Sequence, residues 1–273
     1  MPHRTAITPR VVRVLVIIGR FAIASVADHV ARLEFPDTST AHRLIARCNG
    51  MRLVTVHVQH LNAGNLVTLT AKGRAVAAAS GADPDTLHAV RRVGVGAPHV
   101  LAINDVRAAI ALAARARTDL RLDEVVSDLD VRRWMGARAR SREAVIPDLL
   151  VRLSTGAGEL RLAWEIDLAS ERSSQWRRKV RALVDLYRSG ADLCGLPHPW
   201  RPVVVAPDEA RLRSLARVVV EEGGGALFAG AVHREVVADP FGPHYAPLAL
   251  VAEGPSGDAL QHYLVAPPAA AGS

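Results

Sequence analysis

Asp148, Glu165 and Asp167 are the residues of this chain whose type and spacing best suit chemistry. Asp148 stands near the start of an apolar run, Ile146-Pro-Asp-Leu-Leu-Val-Arg-Leu153, that reads as a strand. Glu165 and Asp167 close another, Leu160-Arg-Leu-Ala-Trp-Glu-Ile-Asp167, and Thr155–Gly158 is the turn between the two. Side chains alternate along a strand, so Glu165 and Asp167 share a face and Asp148 faces them across the hairpin. Carboxylates gathered in this way can hold Mg²⁺, which grips a scissile phosphate and lowers the pKa of an attacking water. Such a site also calls for a lysine two residues after the acid of the third strand. Here that position is Asp167, which adds repulsion where a cation is wanted. Lys179 or Arg178, on the following helix, could supply the cation from a different backbone position. Three readings stay open: a metal-dependent endonuclease using Asp148, Glu165 and Asp167; a degenerate scaffold that does not cleave; and plain structural roles. In the last, Asp148 caps a turn and Glu165 and Asp167 pair with Arg161, Arg172 or Arg177.

A second constellation is basic. Residues 1–80 carry ten Arg and Lys against three Asp and Glu, whereas residues 81–273 carry 24 of each sign. The whole formal charge of +7 therefore lies in the first 80 residues. A localised cationic surplus is the footprint of phosphate binding by counterion release. The elements that would present it run in a definite order. Thr8-Pro9 opens a helix carrying Val11, Val12, Val14, Leu15 and Ile18, and Gly19 closes it. Phe21–Ala24 is an extended connector, and Ser25 caps a second helix, Val26–Leu33, that ends before Pro36. Asp37–Thr40 is a turn and cap cluster before a third helix, Ala41–Cys48, with Leu44, Ile45 and Cys48 turned inward.

After Gly50 the apolar period changes to two: Leu53–Val58 and Leu66–Thr70 read as a hairpin turned at Asn62–Asn65, and Ala71–Ala79 as a helix behind it. Three helices and a hairpin is the winged helix-turn-helix order. The third helix would offer His42, Arg43 and Arg47 to double-stranded DNA, with Thr38, Ser39 and Thr40 at its N-terminus. The wing would offer His57, Gln59, His60 and Asn62, flanked by Arg52 and Lys72. One recognition helix reads few bases, so a homodimer is expected. The alternative for this module is protein interaction.

The small, Pro-containing stretch Ala78–Asp85 divides the chain. The expected organisation is a winged helix at 1–80, a linker with a bridging helix at 81–98, an α/β domain at 99–238, and a Pro/Gly/Ala-rich, partly irregular tail at 239–273. Within the α/β domain Asn104 caps a helix, Asp105–Arg117, and a strand follows at Leu120–Val126. Next come a polar stretch at Arg132–Arg142 around Trp134, the two strands above, and a helix at Ser174–Ser189. A strand at Pro202–Ala206, a helix at Asp208–Glu222 and a strand at Ala226–Val232 complete it. The fold class is thus α+β, and the αβββαβ order is the core of the PD-(D/E)xK nuclease fold, expected here in degenerate form. No apolar run approaches the roughly 18 residues that span a bilayer. Cys48 and Cys194 make no disulfide framework, and the first residues lack a signal-peptide core, so a cytoplasmic protein without membrane partners is expected. The 11 histidines never fall at metal-site spacing, and no cofactor is expected beyond Mg²⁺ if the acidic site is active.

Four segments in order resemble the replication-relaxation family of plasmids and integrative elements. They are Ile7-Thr-Pro-Arg-Val-Val-Arg-Val-Leu15, Val67-Thr-Leu-Thr-Ala-Lys-Gly-Arg74, His99-Val-Leu-Ala-Ile-Asn-Asp-Val-Arg107, and Ile146-Pro-Asp148 with Trp164-Glu-Ile-Asp-Leu168. A basic helix follows in the family, here Gln175–Arg181. The resemblance covers roughly residues 5–206. It implies a winged helix joined to a nuclease-like domain, acting in replication or in relaxation and transfer of DNA, beside a relaxase or replication initiator. It also implies that the acidic third strand without its lysine is a family trait, which favours a non-catalytic role. A winged-helix transcription regulator whose α/β domain senses a ligand is the further alternative.

Overall fold

The structure is a computed structural model that describes residues 7–58, 64–140, 144–156, 158–168, 173–197 and 199–253. It is an α+β protein that divides into two compact units, Met1–Ala108 and Ala109–Ser273.

The first unit begins with α1 (Pro9–Phe21), whose N-cap Thr8 accepts a hydrogen bond from Val11 N at 3.3 Å. Val11, Val14, Leu15 and Ile18, at helical spacing, are fully buried. The extended connector proves to be a strand, β1 (Ile23–Ser25). It joins β2 (Val54–Val58) and β3 (Asn65–Leu69) in an antiparallel sheet of order β1-β3-β2. Ser25 caps the second helix as expected, but Val26–Ala31 is a wide π-type turn that tightens into a short α-helix at Arg32–Glu34 (together α2). Helix α3 (Thr38–Gly50) starts three residues earlier than the turn reading allowed, because Asp37 is the N-cap and Thr38–Thr40 form its first turn. Helix α4 (Ala71–Ala79) is capped by Thr70. Gly73 is required there: a Cβ would lie 2.0 Å from the carbonyl oxygen of Leu53.

Two expectations fail in the stretch after α4. The bridging helix expected in the 81–98 linker reduces, ahead of Ala97, to a single 3₁₀ turn, Pro84–Thr86, followed by irregular chain. Helix α5 (Ala97–Ala116) starts eight residues before Asp105, so Asn104 is not a cap. The apolar residues Val100, Leu101, Ala102 and Ile103 continue the helical pattern through it. Asn104, buried, donates instead to the carbonyls of Phe21 and Ile23 at 2.9 and 2.8 Å.

The second unit is built on a six-stranded mixed sheet of order β4-β5-β6-β7-β8-β9. β4 (Leu120–Ser127), β5 (Leu149–Thr155) and β6 (Gly158–Ile166) are antiparallel neighbours; β7 (Arg201–Ala206) and β8 (Ala229–Val232) join in parallel. The polar stretch around Trp134 is helical: α6 (Asp128–Met135) ends in it, started by a capping box between Ser127 and Asp130. Ile146–Asp148 is not in the strand, whose ladder begins only after Pro147, a residue with no N–H to give. Helices α7 (Ser173–Ser189) and α8 (Glu209–Glu221) share one core with the sheet through Trp176, Val180, Leu212, Leu215, Leu150 and Val204. Trp176 Nε1 donates to the Leu215 carbonyl at 3.2 Å. After α9 (His233–Ala238), part of the expected irregular tail is ordered. β9 (Ala246–Pro247) adds an antiparallel edge to β8, and α10 (Leu248–Glu253) follows with Leu248 in the core. No helix among the described residues is long and apolar enough to cross a membrane.

Candidate nucleic-acid interface and buried carboxylates

Helix α3 buries Ala41, Ile45 and Cys48 and leaves Arg43 and Arg47 exposed. Leu44, expected in the core, is only half-buried, and so is His42. At the N-terminus Asp37 gathers the polar groups that were expected to meet phosphate. Its Oδ1 accepts from Thr40 N at 2.7 Å and from Ser39 Oγ at 2.6 Å, and its Oδ2 accepts from Thr40 Oγ1 at 2.8 Å. Ser39's hydroxyl first, then the Thr40 N–H and hydroxyl, hold the carboxyl down at about 2. Arg43 Nη2 in turn donates to Thr40 Oγ1 at 3.0 Å, so the arginine is aligned along the helix it belongs to. Thr38 is exposed.

At the other end of α3, Lys72 donates to the carbonyl of Met51, the C-cap residue, at 2.9 Å. A cation there complements the helix dipole. Arg52, exposed, turns the chain with a left-handed φ of 58°. His57 on β2 is half-buried, its Nε2 3.0 Å from Thr68 Oγ1. Gln59, His60 and Asn62 lie outside the described residues. The structure thus places Thr38, Ser39 and Thr40 in the first turn of α3, Arg43 and Arg47 along it, and Arg52 and Lys72 beside its C-terminal end.

Sequence reasoning missed a buried polar network in the same unit. His29 Nδ1 accepts from Ser25 N at 2.9 Å, which leaves its Nε2 to donate to Asp105 Oδ1 at 2.9 Å. Arg107 Nη1 donates to the Arg20 carbonyl at 2.5 Å, and its Cζ lies 5.1 Å from the Phe21 ring centroid. With Asn104, these groups fasten the first half of α5 to the end of α1 and the start of α2. The partners are 76 to 87 residues apart, and no local pattern announces them.

In the second unit the three acids are placed close in the fold but each is engaged by the protein. Asp148 Oδ2 accepts from Ile166 N at 2.8 Å, and its own N–H donates to the Trp164 carbonyl at 3.0 Å, so it stitches the start of β5 to the end of β6. Glu165, 2% exposed, forms an ion pair with Lys179 of α7. Asp167 donates its N–H to Val205 and pairs through Oδ2 with Arg211 Nε of α8 at 2.5 Å, while its Oδ1 is buried without a hydrogen-bond partner. Of the cations weighed from sequence, Lys179 reaches an acid of the cluster. Arg178 is exposed, Arg161 pairs with Glu159, Arg177 pairs with Glu221 and Glu222, and Arg172 lies outside the described residues. Arg211 went unnoticed because α8 is far along the chain and reads as an ordinary amphipathic helix.

Nearby, burial raises the carboxyl of Asp128, with the charge of Asp148 adding to it and Arg132 opposing. Burial, with the charge of Glu165 behind it, pushes the Cys194 thiol up to about 11. Among the described residues no group of three His, Cys, Asp or Glu side chains is arranged to hold a metal ion. Asp148, Glu165 and Asp167, as they stand, do not fit Mg²⁺. One oxygen of each is held by the protein itself: Asp148 Oδ2 by a backbone N–H, Glu165 Oε2 by Lys179 and Asp167 Oδ2 by Arg211.

A two-unit α+β chain with a cationic helix in one unit and neutralised acids in the other is the class these features define. The model of the family described as replication-relaxation matches residues 19–194, well over half the chain, and the protein belongs to that family. Neither a curated protein nor a solved structure matches it significantly.

Proposed function

We propose that the protein binds double-stranded DNA of a plasmid or integrative element and acts, without cleaving it, in that element's replication or relaxation. In this reading the first unit is a winged helix-turn-helix. Helix α3 enters the major groove, Arg43 and Arg47 reach base edges or phosphates, and the β2–β3 hairpin is the wing. One observation carries the reading: the exposed arginines of α3 stand four residues apart on a unit holding the chain's entire cationic surplus. Family membership supplies the pathway. Two copies related by a two-fold axis would present two such helices to a palindromic site. A relaxase or replication initiator is the natural partner.

The second unit is then a nuclease-like αβββαβ scaffold. Lys179 and Arg211 neutralise the acids that would otherwise recruit a metal, and the unit serves docking. The experiment is fluorescence anisotropy with duplex fragments of the host element. Arg43→Ala with Arg47→Ala is expected to weaken binding at least tenfold, since a good bidentate contact is worth about 1–3 kcal/mol. Unchanged affinity would remove the reading.

A second reading has one observation in its favour. Lys179 meets Glu165 from a helix, where a nuclease of this fold could place its lysine. Incubation of the protein with supercoiled plasmid and Mg²⁺ or Mn²⁺ decides between the two. No nicking is expected, and nicking abolished by Glu165→Gln would establish the nuclease.

A further inference from the structure

Trp134 is out of place in this chain. Of the four tryptophans, Trp164, Trp176 and Trp200 are 0%, 1% and 6% exposed, whereas Trp134 on α6 is 48% exposed. Leaving an indole in water forgoes the largest burial a side chain offers. The platform beneath it is firm. Ser127 and Asp130 close a reciprocal capping box, Val131 is fully buried, and Met135 and Ala139 pack against the core.

Asp130 turns its Oδ2 back onto Ser127 N and Oγ at 3.1 and 2.7 Å, and Asp128 accepts from Arg132 Nε at 3.2 Å. The side chains of Arg132, Arg133 and Arg138 remain at the surface on either side of Trp134, with Leu129 also partly exposed. An exposed indole on a short helix whose neighbouring arginines are also exposed offers the two things an unpaired base and its phosphates require, an aromatic ring and cations. Bases of a duplex are stacked on one another and cannot use that face. A docking patch for a protein would call for more apolar surface than one ring and Leu129.

We infer that α6 is a binding site for single-stranded nucleic acid, with Trp134 stacking on a base and Arg133 and Arg138 holding the adjoining phosphates. This site lies in a different unit from α3, takes a different form of nucleic acid, and does not rest on the duplex reading.

The test uses the full chain and an oligothymidylate. Because the other three indoles are buried, quenching of tryptophan fluorescence by the oligonucleotide reports Trp134. Quenching is expected in the wild type and absent in Trp134→Phe. Anisotropy of a labelled oligothymidylate should show Trp134→Ala binding about tenfold more weakly, with Trp134→Phe retaining most of the affinity because a phenyl ring still stacks. Arg133→Ala with Arg138→Ala should lower the slope of log affinity against log salt by about 0.7 for each phosphate no longer held. Affinity for duplex should not change in any of these variants. Wild-type affinity for the oligonucleotide in Trp134→Ala would overturn the inference. So would a change of oligomeric state in that variant with no change in oligonucleotide binding, since it would mark a protein contact.

Discussion

Lys179 of α7 is paired with Glu165 of β6, a carboxylate almost wholly removed from solvent. The pair joins the helix to the sheet at the point where Asp148 and Asp167 also stand, and it sets the electrostatics of that end of the sheet. Removing one partner leaves a charge buried alone. Lys179→Met or Glu165→Gln is therefore expected to cost about 3–5 kcal/mol of unfolding free energy, and the double substitution should recover a substantial part of it. Urea titration of the four proteins checks this. Additive losses would mean that the two residues do not act as a pair.

Asp37 makes the start of α3 pH-dependent. Its folded carboxyl, held at about 2 by Ser39 and Thr40, lies below the ordinary value of 3.8. The folded state thus binds the proton less readily than the unfolded chain. The stability it contributes is complete above about pH 5 and is lost as pH falls through about 2. Asp37→Asn keeps the cap but carries no charge. Its unfolding free energy should vary less than that of the wild type between those limits, and parallel pH profiles would contradict the assignment.

Asn104 supplies two hydrogen bonds to backbone carbonyls, that of Phe21 at the end of α1 and that of Ile23 at the start of β1. Asn104→Leu strands both acceptors and introduces a bulkier apolar group. A loss of about 1–3 kcal/mol is expected for each unsatisfied carbonyl. Thermal unfolding of the variant should show a clear fall in Tm, and a Tm equal to that of the wild type would exclude the bonding described.

Burial raises the thiols of Cys48 and Cys194 alike to about 11. At mildly alkaline pH both are almost entirely protonated and poor nucleophiles. Ellman's reagent should label neither at an appreciable rate in the native protein and both on denaturation. Rapid native labelling of one site would show that its thiolate is stabilised there.

Much of this architecture was legible in the chain, because short-range physics wrote it. Thr8-Pro9, Ser25 and Thr70 mark helix starts by their own hydroxyls, and the switch of apolar period after Gly50 locates β2 and β3. Errors arose where a residue's partner is distant or its role ambiguous. Asp37 reads equally as a turn former and as a cap. Asn104 resembles a cap until the carbonyls it satisfies, about 80 residues earlier, are brought to it. The edge strand Ala246–Pro247 is too short for alternation to appear and is held by pairing with β8. The carboxylates of the second unit were found by period-two spacing. Their neutralisation by Arg211 depends on the packing of α8, which no spacing rule contains.

The most direct measurement is the salt dependence of duplex affinity for the full chain and for the variant carrying Arg43→Ala and Arg47→Ala. Each phosphate held by α3 contributes about 0.9 to the slope of log affinity against log salt. The wild type should bind with a steep slope, and the variant should bind more weakly with the slope reduced by up to about 1.8, the share of two phosphates. Identical slopes and affinities in the two proteins would contradict a DNA-binding role for this helix.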